Sequence, residues 1–506
     1  MEPQATPPKA GFSKDVNCDR ISEMPKTRDQ LVNDSFVVDW NGCDDPNDPF
    51  NWPLLKKIAF TVIGSCIVFA VTFASSDFGP AGPVVASEYG VSVEVTNLSV
   101  ALFVAGFAAG PLLFAPLSQI YGHAAMLLTG LIGCAIFQIP LALAQNIETV
   151  IISRFLMGAI GSAVLAVGSG MLAEVWGPST RAVAIGLSAT SMNMGSIVGP
   201  IAGSFALSRY GWRWIGWMTL LVCVGIGATA PFALRESSRQ IILDRKASQT
   251  RKKMNDSRYQ TLSEREGGMD FSLLAQRYLK LPLQMITREP ILIIITIYLT
   301  LVYGTLYLSY QMFPFAFQHR GWSAPMSSLP FISVLLGVLS AWLVSSWYTI
   351  AFYRPKHERT GLSIPEDRLP PMILGGFILP PALLWFGWSM RTNWFCQVMS
   401  CFFVGFSLQL IFITGVVYII DVYLTNANSA ISIHVGVRSL VSASFPLWGP
   451  LLYRRLGIEW TSTLLACLGL LLLPSPLVFY YWGRNIRSWS RLIKSNSGLE
   501  ISESGL

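Results

Sequence analysis

Hydrophobic and polar positions alternate along this chain in long blocks, not residue by residue. Between residues 57 and 482, apolar runs of about twenty residues recur, separated by short polar connections. A run of that length crosses a bilayer core as a helix, and with no water in the core its backbone amides must bond within the segment. The runs lack the two-residue alternation of barrel strands. The pattern therefore predicts an all-α polytopic membrane protein with twelve spans, at 57–78, 96–115, 125–144, 150–172, 182–206, 213–233, 290–313, 326–350, 369–389, 394–419, 430–452 and 460–482.

The blocks divide into a polar N-terminal tail (1–52), six spans (53–234), a charged central loop (235–288), six further spans (289–484) and a C-terminal tail (485–506). The central loop holds twelve Lys or Arg against six Asp or Glu, and basic connections lie on the cytoplasmic side. Even-numbered connections and both termini then face the cytoplasm. Lys56 and Lys57 before span one, and Arg484, Arg487, Arg491 and Lys494 after span twelve, agree; Arg209 and Arg213 count against. The first 50 residues contain no short apolar core followed by a cleavage site, so span one is expected to act as the insertion signal. The central loop reads as a linker with an amphipathic helix near 271–286. Six spans, a loop and six more spans predict two pseudo-symmetric bundles with a substrate path between them.

Composition narrows the function. The chain is 52% hydrophobic and 13% charged, with a formal net charge of +7. Its basic residues sit beside apolar spans, where orientation accounts for them and a nucleic-acid partner is not needed. None of the eight cysteines has zinc-site or disulfide-framework spacing. Cys66, Cys134, Cys223 and Cys401 lie within spans and read as small buried residues. No GxxxxGK[ST], GxSxG, HExxH or CxxC occurs, which leaves neither ATP-driven pumping nor enzyme chemistry, and no metal or cofactor is expected. A gradient-driven carrier of a small molecule in the lipid bilayer remains.

Span five reads "SMNMGSIVGPIAGSF", with Gly195, Gly199 and Gly203 four apart and Pro200 among them. Glycines at that spacing form a groove into which a neighbouring backbone fits, and Pro200 removes a donor and favours a bend. The stretch resembles the antiporter motif of the major facilitator superfamily. Further pieces, "DPNDPFNWP", "GPLLFAPLSQIYG", "SRFLMGAIGSA", "LPLQMITREPI", "PEDRLPP" and "IIDVYLTNANSA", extend the likeness over residues 38–490 and look like the fungal twelve-helix drug:proton antiporter branch. The resemblance implies proton-gradient-driven export, in the plasma membrane and as a monomer, of small hydrophobic compounds such as xenobiotics or fungal secondary metabolites. Related members handle polyamines, a second reading. A third, from another class, is a non-transporting membrane sensor. It is prompted by the loop after span two, where Gln119, His123 and Ala124 stand where the family has an acid and basic residues.

Several residues stand out. Arg154 in "SRFLMGAIG" resembles the family's fourth-helix arginine, associated there with proton coupling; the alternative is a side chain reaching for the interface. Asp77, Glu174 and Asp421 are the candidate intramembrane carboxylates, each at the end of a span, and Asp421 reads as a capping residue. His434 and Arg438 lie four apart on one helical face, and a cationic face disfavours cationic cargo. His434 is a candidate proton carrier or a neutral hydrogen-bonded residue. Tyr303, Tyr307 and Tyr310 form a stripe beside Gln311 that suits either a flat, partly polar cargo or helix packing. Gln138, Asn193 and Gln409 face the same cavity or join helices.

Overall fold

A computed structural model describes residues 36–42, 44–177, 180–265, 280–360, 364–423 and 426–487. The expected helix at 271–286 falls partly outside these residues; its described part lies in α9 below. The N-terminal half contains α1 (Leu54–Ser76), α2 (Gly82–Tyr89), α3 (Val93–Tyr121), α4 (His123–Ala142), α5 (Ile147–Val175), α6 (Arg181–Tyr210) and α7 (Arg213–Ala233). The connection holds α8 (Arg239–Met254) and α9 (Leu281–Arg288). The C-terminal half contains α10 (Pro290–His319), α11 (Phe331–Tyr348), α12 (Pro370–Trp388), α13 (Trp394–Tyr423), α14 (Ala427–Ser442), α15 (Phe445–Leu472) and α16 (Pro474–Arg487).

The helices begin where local chemistry allows. Asn146 caps α5, its side-chain oxygen accepting the Thr149 N–H at 2.9 Å, and Glu94 and Glu148 occupy first turns, where the positive helix end favours them. Outward faces carry large apolar groups such as Leu113, Ile136, Leu221 and Leu343, which in a membrane meet lipid tails and need no cover.

Among the described residues, eleven helical segments are long and apolar enough to cross a bilayer. Span eleven (430–452) corresponds to α14 with the first part of α15, and span twelve (460–482) to the rest of α15 with α16, because α15 turns at residue 457, between the two expected spans. Gly457 explains this. Its φ of 80° and ψ of 166° are non-helical and match Gly122 (101°, 161°) and Gly211 (83°, 171°), the joints between α3 and α4 and between α6 and α7. The flanking sequences also match: Arg209, Gly211 and Trp214 repeat as Arg455, Gly457 and Trp460. The joint between spans five and six thus recurs between spans eleven and twelve, as two pseudo-symmetric bundles require.

Within the first bundle α3 packs on α5, and α1 on α6; within the second α13 packs on α11 and α12. The bundles join most extensively through α3 with α14 and α6 with α11. The central connection is more than a linker. Its helix α8 is tied to the segment before α1, where Lys246 Nζ donates to the Asp39 carbonyl at 2.7 Å and Arg239 pairs with Asp48 at 2.7 Å.

Candidate functional site

The glycine stripe of α6 lies against α1. A Cβ on Gly195 would sit 2.4 Å from the Phe69 carbonyl oxygen, one on Gly199 2.8 Å from that of Phe73, and one on Gly203 2.0 Å from that of Asp77. No side chain fits there, so the two backbones touch along more than two turns, and dispersion holds helices that gain little hydrophobic drive in lipid. Ser76 Oγ adds a hydrogen bond to the Ser196 carbonyl at 2.7 Å. Helix α6 continues through Pro200 to Tyr210.

This contact positions Asp77, which follows the last residue of α1 and is buried, not at an exposed edge. Arg154 of α5 reaches it at 3.3 Å and also donates to the carbonyls of Ala74 and Ser75, while Thr219 of α7 donates to its other oxygen. The guanidinium lies 4.6 Å over the Phe103 ring and 5.2 Å over Phe78. Arg154 therefore does not snorkel. Four helices meet at one neutral ion pair, and removing either partner strands a buried charge at a cost of about 3–5 kcal/mol.

Between the bundles lies a cavity, partly open to its surroundings. Val68, Val164 and Met192 of the first bundle and Phe412, Val416 and Ile431 of the second give it an apolar wall. Ser169, Ser188, His434 and Arg438 add polar groups, and among the described residues no carboxylate lines it. His434 Nδ1 lies 3.3 Å from Thr296 Oγ1, while Nε2 has no partner.

The tyrosine stripe stands beside this cavity, not in its wall. Tyr303 and Tyr307 have ring centroids 5.0 Å apart, Tyr307 and Tyr310 5.3 Å, and all three are buried. Tyr307 Oη meets Ser75 Oγ of the other bundle at 3.1 Å. Asn193 likewise faces the second bundle: its amide donates to Gln409, whose own amide donates to Thr190 Oγ1 at 2.9 Å. Gln311 is half-buried, and Gln138 is buried in α4, away from the cavity lining.

At the end of the bundles nearest α8, Asp421 bridges the halves. It accepts from Arg181 at the start of α6 and from Arg368 before α12, and its side chain is fully covered. The expected capping role is thus replaced by an ion triad, and Arg181 and Arg368 were not singled out by the sequence. Nearby, Trp342 of α11 donates to the Val183 carbonyl at 3.3 Å.

The altered loop after the second span is held by a different acid. Glu236 Oε1 accepts the N–H groups of His123, Ser237 and Ser238 at 2.9–3.0 Å. Gly122 must be glycine twice over: φ is 101°, and a Cβ would meet Glu236 Oε2 at 2.0 Å. Glu174 completes this cluster, accepting the Arg239 N–H at 3.1 Å and lying 4.0 Å from His123 Nε2.

The profile of the Major Facilitator Superfamily matches residues 62–443. The citrinin biosynthesis cluster MFS transporter of Monascus ruber is 39% identical, over 97% of this chain and 99% of that one. The ascochitine biosynthesis cluster MFS transporter of Didymella fabae is also 39% identical, over 90% of this chain and 89% of that one. Among solved structures, the MFS proton:xylose symporter XylE superposes with a TM-score of 0.63 at 13% identity, covering 85% of this chain and 96% of that chain, a likeness of fold.

Proposed function

This chain belongs to the major facilitator superfamily and is a membrane transporter, and on that premise we propose that it exports small, largely apolar organic compounds in exchange for protons. The cavity between the bundles carries the proposal. Its wall is mostly apolar with a few polar groups, as small-molecule sites are, and it is bounded by contacts between bundles on both sides: Ser75 with Tyr307 on one, Arg181 with Asp421 on the other. Breaking one set while keeping the other opens the cavity to one face at a time. The relatives named for biosynthesis clusters favour a fungal secondary metabolite as cargo.

For coupling, Asp77 is the proposed proton carrier and Arg154 its modulator. Asp77 sits on α1, yet its partners come from α5 and α7. Any shift of α1 during the cycle changes those contacts, and by linkage protonation then biases the shift. His434 has a less direct claim, since its ring faces the cavity without a carboxylate beside it. The polyamine reading is opposed by a lining that holds Arg438 and His434 and, among the described residues, no acidic group. We place the protein in the plasma membrane as a monomer, with α8, α9 and both termini cytoplasmic.

The test is retention of a panel of hydrophobic toxic compounds in cells expressing the chain or Arg154→Ala, with and without a protonophore. Lower retention that requires both Arg154 and the gradient supports coupled export. Equal retention of every compound in all arms removes it and favours the sensor reading.

A further inference from the structure

Two arginines are buried in the membrane-spanning region, and they are treated differently. Arg154 has Asp77. Arg438 has no acidic partner within ion-pair distance among the described residues, its Nε makes no hydrogen bond, and the residue is 2% exposed. What surrounds it is aromatic: its guanidinium lies 4.2 Å over the Tyr303 ring and 5.0 Å over Phe412. Arg438 and Phe412 both line the central cavity, with His434 one helical turn away on α14.

Ring faces attract a cation but do not neutralise it, and a charge inside a membrane protein is costly unless it is paired or serves a passing charge. The other groups at the cavity, Ser169, Ser188 and His434, bring no negative charge. The missing partner is therefore a ligand. We infer that the cavity takes planar aromatic organic anions, carboxylates or acidic phenols, with Arg438 as their counter-charge and the apolar wall holding the ring system. This deepens the export reading above and rests on it.

The chemistry fits the geometry. A guanidinium offers donors in a planar fork that matches a carboxylate, and a charge-assisted pair shielded from water is stronger than a neutral one. The apolar wall formed by Val68, Val164, Met192, Phe412 and Val416 suits a flat ring system. The preference should be for the anion over its uncharged isostere, and it should depend on positive charge at 438 and not merely on shape.

The full chain, purified and reconstituted in lipid nanodiscs, is titrated with 2-anthracenecarboxylate and with 2-anthracenecarboxamide at pH 7.5, read by probe fluorescence. Transport of both is then measured in proteoliposomes. The expected result is at least tenfold tighter binding of the carboxylate by the unaltered protein, near-equal binding of the two by Arg438→Gln, and a preference partly restored in Arg438→Lys. Equal affinities in the unaltered protein overturn the inference without any variant, so a folding failure of Arg438→Gln does not protect it. If the amide is transported as well as the acid, the anion inference falls while the carrier reading stands. If neither is bound or moved, the anion inference falls, and the export reading is left to the retention panel above.

Discussion

Arg181→Gln separates the role of the ion triad in switching from its role in folding. In the unaltered protein Asp421 accepts from two arginines, one on each side of the divide between bundles. Removing Arg181 leaves Asp421 paired with Arg368, so no buried charge is stranded; only the tie between bundles is lost. A hydrogen bond to a charged group contributes about 1.5–3 kcal/mol, which at about 1.4 kcal/mol per factor of ten shifts the access equilibrium about 10- to 150-fold away from the state closed at this end. Asp421→Asn is a different perturbation, because it leaves two arginines facing each other without a carboxylate and should lower the yield of folded protein. The assay is labelling of Ser188→Cys, a cavity-lining position, by a membrane-impermeant maleimide in a background with the eight native cysteines replaced. Arg181→Gln should speed labelling by at least tenfold at unchanged thermal stability. Unchanged labelling would refute the latch; faster labelling with a collapsed melting temperature would show that Arg181 serves the fold instead.

Two other outcomes follow from local geometry. Gly203→Ala forces a methyl to within 2.0 Å of the Asp77 carbonyl oxygen, so the detergent-solubilised protein should melt several degrees lower. Gly225→Ala, where a Cβ meets nothing within 4 Å, should be neutral or slightly stabilising; equal melting temperatures for the two variants would deny the α1–α6 contact its importance. Asp45, ahead of α1, is held below its ordinary pKa of 3.8 chiefly by the N–H groups of Asn41 and Asn47, with Lys246 adding to it. A depressed carboxyl stabilises above its unfolded pKa and loses that contribution as pH falls through its folded one. Amide exchange in residues 41–51 should therefore, after correction for intrinsic rates, be flat from pH 8 to 5 and faster for Asp45→Asn at pH 7; an Asp45→Asn profile identical to the unaltered one would contradict this.

The spans were legible because a bilayer imposes a length and a composition on each crossing, and the glycine spacing of span five foretold the backbone contact that the structure places on α1. What pairs across the bundles was not legible. Asp421 meets Arg181 across 240 positions of sequence and Gln409 meets Asn193 across 216, so nothing local marks them as partners. Glu236 was hidden for a related reason: it sits in a basic, polar stretch, and its importance lies in three backbone N–H groups, one of them 113 residues away. The tyrosine spacing predicted a shared face correctly in register, but register alone does not separate a cavity wall from the layer behind it. The joint between the last two spans was legible too, because the polar run from Tyr453 to Glu459 brackets Gly457, whereas the break at Ser442 to Phe445 within span eleven was not, because no polar loop marks it.

Exchange of cargo for protons is the central claim, and the most direct measurement is proton movement in proteoliposomes loaded with a pH-sensitive dye and held acid inside. Adding a transported compound outside should draw protons out of the vesicles in step with its uptake, and Asp77→Asn should abolish that proton flux while leaving exchange of cargo for cargo measurable. Uptake of the compound with no proton movement, or coupled flux undiminished in Asp77→Asn, would contradict the account.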